Sequence, residues 1–131
     1  MEFRNSKQKL TAQELTEFEK KVKFNLPEKY KKIMLEYNGG RPEKDYFQGG
    51  WVYFKNIKYG NYPLEKSIEI LKDVLPKGFF PFADYNGQLL CMNLNNEEYE
   101  KIYFFNETGE YELVADSFDD FMNELSNDPD Y

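Results

Sequence analysis

The sequence predicts an α+β fold: an antiparallel sheet flanked by helices. Three observations predict it. Apolar residues recur at helical spacing in two segments near the start of the chain and in one at its end. Two pairs of β-rich segments are joined by short turn-forming stretches, as antiparallel hairpins require. The helical patterns do not alternate regularly with the strands, which argues against a doubly wound parallel sheet. A chain of 131 residues is expected to form one domain, residues 1–131 with a core from about 11 to 125. No repeat or low-complexity linker divides it.

The first helix is expected over 12–23. Thr11 is placed to cap it, with Glu14 as the reciprocal partner of a capping box and Leu10 and Leu15 at the hydrophobic-staple positions. Leu15, Phe18 and Val22 form its apolar stripe. The next stretch, NLPEKYKKIMLEYNGGRP, is a short helix with sharp edges. Pro27 suits its first helical position, and Glu28 suits the positive end of the dipole. Tyr30, Ile33, Met34 and Tyr37 make one core-facing stripe, and Gly39 is expected to take the left-handed position that ends the helix.

Residues 41–50 read as a loop and 51–56 as a strand. Leu64, Ile68, Leu71 and Leu75 predict a third helix, closed by Pro76 and Gly78. A strand over 79–84 turns at Asn86-Gly87 into a return strand over 88–94. In that strand Leu90, Met92 and Leu94 face one way, and Leu89 and Cys91 the other. KIYFFN and EYELVA form a second hairpin around Glu107-Thr108-Gly109. Tyr111, Leu113 and Ala115 alternate there with Glu110 and Glu112, which predicts one wet face. A last helix begins after Asp116 or Ser117 and buries Phe118, Phe121, Met122 and Leu125, and the tail SNDPDY is expected to be unstructured.

Charge is divided unevenly. Residues 1–66 carry 14 Lys and Arg against 9 Asp and Glu, a net of +5; residues 67–131 carry 3 against 15, a net of −12; the halves sum to the chain's −7. An acidic half suits a basic partner as well as simple solubility. Six lysines, from Lys20 to Lys32, gather over the first two helices. That is the ordinary solvated face of an amphipathic pair, and with an acidic chain it argues against direct nucleic-acid binding. No apolar run is long enough to span a bilayer, the first ten residues lack the apolar core of a signal peptide, and one cysteine leaves no disulfide framework. Together these favour the cytoplasm.

Catalytic chemistry finds little support. With no histidine, Ser–His and Cys–His nucleophile systems are excluded, and no Cys or His spacing fits a metal. No cofactor is expected. Cys91, between Leu90 and Met92 in a strand, reads as a packed thiol. Neither NGG at 38–40 nor QGG at 48–50 precedes a helix, so neither is a phosphate cradle. A carboxylate hydrolase would need Glu97, Glu98 or Glu100 to face Asp84 across a cleft.

The ordered motifs carry a resemblance. LTEFEKKVKFNLPEKYKKIMLEYNGGRP, with Glu19, Leu26-Pro27, Tyr30 and Asn38-Gly39-Gly40, resembles the N-terminal signature of the SUKH superfamily, the Smi/Knr-like family. FPFADYNGQLLCMNL is similar to its hairpin through Phe82, Ala83, Asp84 and Gly87, and LVADSFDDFMNEL to its closing helix through Ala115, Ser117 and Phe118. The likeness runs from about Thr11 to Leu125. Tyr85 and Asn86 depart from it, standing where a second acid or a glycine is usual. The resemblance implies the α+β SUKH fold and no enzyme activity. Many bacterial members are immunity proteins that neutralise a cognate toxin of a contact-dependent or polymorphic system, often a nuclease, while eukaryotic members are regulators acting through protein contacts. The family has no fixed catalytic set to carry over.

A nuclease must hold phosphates, so its active face is basic, and the acidic half of this chain suits such a face. The expected function is therefore stoichiometric occlusion of a toxin with a basic surface. The expected contact residues are Asp84, Tyr85, Glu97, Glu98, Tyr99, Glu107 and Glu110. Trp51 and the loop before it form a second candidate patch. A regulatory scaffold without a toxin partner is the alternative.

Overall fold

The computed structural model describes residues 1–127 of the chain. Strand β1 (Phe3–Arg4) precedes helix α1 (Ala12–Val22). At the start of α1, Thr11 Oγ1 accepts the Glu14 N–H at 3.1 Å, and a Glu14 carboxylate oxygen accepts the Thr11 N–H at 2.9 Å. The predicted capping box is thus formed, and Leu10, Leu15 and Phe18 are buried behind it.

Helix α2 (Glu28–Tyr37) begins one residue later than expected. Pro27 is its N-cap, with an extended ψ of 145°. A Glu19 carboxylate oxygen accepts the Leu26 N–H at 3.2 Å and so ties α1 to the entry of α2. The left-handed residue that ends α2 is Asn38, at φ 47°, where the sequence pointed to Gly39. Asn38 takes the position because its side chain hydrogen-bonds the backbone of Gln8 and Ile57. Gly39, at φ 79°, follows so closely that an added Cβ would lie 2.8 Å from the Lys55 carbonyl oxygen.

The segment expected as a loop over 41–50 holds two short strands, β2 (Arg41–Pro42) and β3 (Tyr46–Phe47). Strands of two residues show no periodicity for a sequence reading to detect. β2 pairs with β1. β3 opens a six-stranded antiparallel sheet with β4 (Gly50–Phe54), β5 (Phe79–Tyr85), β6 (Gln88–Asn93), β7 (Lys101–Phe105) and β8 (Tyr111–Ala115), each strand beside its sequence neighbour. At the β5–β6 turn Asn86 and Gly87 have φ of 50° and 80°, the left-handed pair that a tight hairpin needs. β5 carries a bulge between Phe80 and Ala83, where Pro81 costs no ladder hydrogen bond.

Helix α3 (Leu64–Leu71) lies between β4 and β5 in the chain and packs on β5. It is shorter than its apolar stripe, because Pro76 forces the preceding residue out of helical geometry and the chain leaves through turns over 72–75. Helix α4 (Phe118–Glu124) is capped by Ser117, whose Oγ accepts the Asp120 N–H at 3.0 Å. Ser126, expected in an unstructured tail, pairs with Tyr46 beyond the end of α4. The rest of that expectation, residues 128–131, lies outside the described residues.

One face of the sheet carries the main core. Phe54, Phe80, Phe82, Leu90, Met92 and Ile102 meet Leu15 and Phe18 of α1, Tyr30 and Met34 of α2, Leu64 of α3, and Phe118 and Phe121 of α4. The other face holds a smaller cluster of Phe79, Cys91 and Phe105, with Leu75, Leu89 and Tyr103 against it. The expected division of Leu90 and Met92 from Leu89 and Cys91 is observed. In β8 the expectation fails. Ile102 faces Ala115, but Tyr103 faces Leu113, so β8 has one residue too many at Val114. That bulge leaves Ala115 inward and turns Tyr111 and Leu113 to the outer face, where they stay exposed.

Candidate protein-binding face

The seven acidic and aromatic residues singled out in the sequence fall into three places. Glu97, Glu98 and Tyr99 lie in the β6–β7 connection, the two glutamates within a 3-10 turn at Asn96–Glu98 and Tyr99 just after it. Glu107 and Glu110 lie in the β7–β8 turn, at the opposite end of β7, which is ~17 Å long by strand geometry. Asp84 and Tyr85 end β5 beside the β5–β6 turn. The hairpin pairing sets the β5–β6 and β7–β8 turns at one end of the sheet and the β6–β7 connection at the other.

Their roles in the molecule differ. The Tyr85 hydroxyl donates toward the Phe47 and Gln48 carbonyls, at 2.8 and 2.7 Å, and fastens the β3–β4 turn. Its ring rests where Gly50 leaves room, since a Cβ on Gly50 would come within 2.6 Å of it. The Tyr99 hydroxyl donates to the Asn25 carbonyl at 2.7 Å and ties the β6–β7 connection to the α1–α2 loop. Glu98 pairs with Lys101 at 2.8 Å, and Asp84 with Lys55 at 2.9 Å. Glu97, Glu107 and Glu110 are exposed.

The Glu107–Glu110 turn is built by Asn106. Its Oδ1 accepts the N–H groups of Thr108 and Glu110, at 3.0 and 3.1 Å, and so points the two glutamates outward. Sequence reading passed over Asn106, although an Asx residue two before Thr108 is a signal for such a turn.

The carboxylate arrangement a hydrolase would need is not formed by these residues. Asp84 stands opposite Leu89, four residues or ~13 Å along β6 from Asn93, beyond which the glutamates lie. Glu100 turns instead toward Asp119; burial raises its carboxyl above the usual range, and the Asp119 charge adds to that. Cys91 is fully buried, and burial pushes its thiol up to about 12, so it is a packing group. Among the described residues no cluster of His, Cys, Asp and Glu could hold a metal ion, and no helix is long and apolar enough to cross a membrane.

The outer face of the sheet is the surface that sequence reading missed. Tyr53, Asp84, Leu89, Phe105 and Tyr111 stand opposite one another from β4 to β8, and Cys91, Tyr103 and Leu113 form a second row. Tyr111 rests on three rings, with centroids 5.2 Å from Phe79, 5.8 Å from Tyr103 and 6.0 Å from Phe105. It is nevertheless 51% exposed, and Leu113 46%. The signal was present in the alternation of Tyr103 and Phe105 with Ile102 and Phe104, but the β8 bulge reversed its reading in the partner strand. The lysines of the first two helices lie on the far side, over the main core. Lys29 pairs with Asp119, Lys31 with Glu28, and Lys20, Lys21, Lys23 and Lys32 are exposed.

Comparison with known proteins agrees with the motifs. The profile of the SMI1 / KNR4 family (SUKH-1) matches residues 9–124. No curated protein matches the chain. The matched span runs from just before the α1 cap to the end of α4, and so takes in all four helices and the six-stranded sheet. The chain belongs to the SMI1 / KNR4 family (SUKH-1).

Proposed function

We propose that this protein is a cytoplasmic, non-enzymatic immunity protein. It binds a cognate bacterial toxin of a polymorphic or contact-dependent system, a nuclease with a basic surface, and blocks it by stoichiometric occlusion. Membership of the SMI1 / KNR4 family (SUKH-1) carries the reading, because that family resemblance implies immunity and regulatory proteins that act through protein contacts. The acidity of the second half supports a basic partner: charges of one sign speed encounter with the opposite sign, while exposed aromatics supply buried anchors. Of the seven expected contact residues, Glu97, Glu107 and Glu110 are the best placed for a partner, since Asp84 and Glu98 already hold lysines and Tyr85 and Tyr99 hold backbone.

The test is capture of partners from native lysate on the tagged protein at low and at high salt. One basic partner, held one-to-one and released by salt, is the expected result. Several unrelated partners below stoichiometry would favour a regulatory scaffold.

A further inference from the structure

We infer that the partner seats on the outer face of the sheet, over Tyr103, Tyr111 and Leu113, and that this partner is a protein surface presenting Lys or Arg around an apolar anchor. The inference rests on the protein-binding reading above and assigns it a place.

Three observations carry it. The first is exposure where burial is expected. Tyr111, Leu113 and, on the turn after α3, Val74 are each about half exposed, at 51%, 46% and 57%. They are continuous with the buried Phe79 and Phe105 beneath them. Scattered exposed apolar residues are ordinary, but a contiguous group standing on a packed aromatic base is the form of an interface core. The second is shape. The turn after α3 rises beside the sheet, and Leu71 and Val74 with Leu89 and Phe105 line an apolar trough of about 240 Å³. The tips of both hairpins, at Gly87 and Gly109, close one end of it.

The third is charge. From β7 to the end of β8 and its next residue, the chain carries Lys101 against Glu107, Glu110, Glu112 and Asp116. Lys101 is already paired with Glu98. Glu107 and Glu110, exposed at the β7–β8 turn, therefore present an acidic rim beside Tyr111 and Leu113, whereas Glu112 stands opposite Phe104 on the other side of the sheet and Asp116 lies near Lys101. A second copy of the chain, meeting it face to face about a two-fold axis, would bring like charges together. Nucleic acid and an anionic lipid surface would meet the same repulsion. A basic protein surface gains at the rim and buries the aromatic centre.

Four baits test the inference in one native lysate, the lysate proteins being the probe. They are the unaltered protein, Tyr111→Ala/Leu113→Asp, Glu107→Lys/Glu110→Lys, and a control on the helical side, Lys20→Glu/Lys32→Glu. All substituted positions are exposed, and matching circular dichroism melts establish that each bait is folded. The expected result is a prey with a net positive domain, held one-to-one by the unaltered protein and by the control. It binds each of the two sheet-face variants about tenfold or more weakly. Hydrogen exchange of the recovered complex is then slowed over 103–113. If a prey binds the sheet-face variants undiminished and loses affinity for the control, the face is wrong while protein binding stands. If no bait holds a stoichiometric prey, the protein-binding reading itself fails and the face falls with it. A dimer of the bait that Glu107→Lys/Glu110→Lys strengthens would assign the face to self-association and overturn the inference.

Discussion

Asn38 hydrogen-bonds both backbone polar groups of Ile57: its Oδ1 accepts the Ile57 N–H at 2.8 Å, and its Nδ2 donates to the Ile57 carbonyl at 3.0 Å. The same Nδ2 reaches the Gln8 carbonyl at 2.7 Å, and the Asn38 carbonyl accepts from Asn56 Nδ2 at 2.8 Å. One fully buried side chain thus joins the end of α2, the segment after β4 and the approach to α1. The Asn-Gly-Gly of the sequence is a junction, and this explains its sharp edge. Asn38→Ala would leave buried backbone groups unpaired, at a cost of about 2–4 kcal/mol. Urea unfolding measures it. Asn38→Gly removes the φ strain together with the bonds, so its deficit should be smaller than that of Asn38→Ala; an Asn38→Ala protein that unfolds with the unaltered one would show that the bonds contribute nothing.

What was legible in the sequence was what is decided locally. Thr11 and Glu14 make the capping box from residues three apart, and Asn86-Gly87 makes its hairpin from two adjacent ones. What was not legible depends on distant partners. β1 exists because Phe3 lies opposite Pro42, and no pattern within Phe3–Arg4 announces that. Tyr111 and Leu113 face away from Ala115 because one residue, Val114, is inserted in the β7–β8 ladder and breaks the alternation between Leu113 and Ala115. The acidic residues looked like one set because they are close in sequence. A strand of five residues separates Glu98 from Glu107, and that is enough to put them at opposite ends of the sheet.

Tyr85 and Tyr99 separate a structural from a binding role. Each hydroxyl is held by backbone carbonyls of a different segment. Tyr85→Phe and Tyr99→Phe should each lower stability by about 1 kcal/mol, read as a shift in the urea midpoint, and leave partner affinity unchanged. A loss of affinity at unchanged stability would place that hydroxyl in the interface instead.

Cys91 should be inert in the folded protein. It lies opposite Tyr103 in the cluster with Phe79 and Phe105, and burial in that apolar setting holds its thiol up to about 12. A maleimide or aromatic disulfide reagent at neutral pH should label it only at the rate of opening, and fully in denaturant. Rapid labelling without denaturant would show that the outer-face cluster opens, and would weaken the rigid base assigned to Tyr111.

Glu14 predicts the acid limb of stability. Hydrogen bonds from Lys58 and then from the Tyr59 hydroxyl and the Thr11 N–H hold its carboxyl down, from 4.5 to about 2. The folded value lies below the unfolded one, so folding favours the ionised form. The contribution is complete above about pH 4.5 and is lost as pH falls toward 2. Other carboxylates titrate in the same window, so the difference between two proteins is the informative quantity. Glu14→Gln keeps the shape of the side chain and removes its charge. Its stability deficit against the unaltered protein should be constant above pH 5 and shrink as the acid is titrated, with the two curves converging near pH 2. Thermal melts at half-unit pH steps measure this, and a deficit that stays constant from pH 5 to 2 would mean that the Lys58 and Tyr59 bonds do not favour the ionised carboxylate.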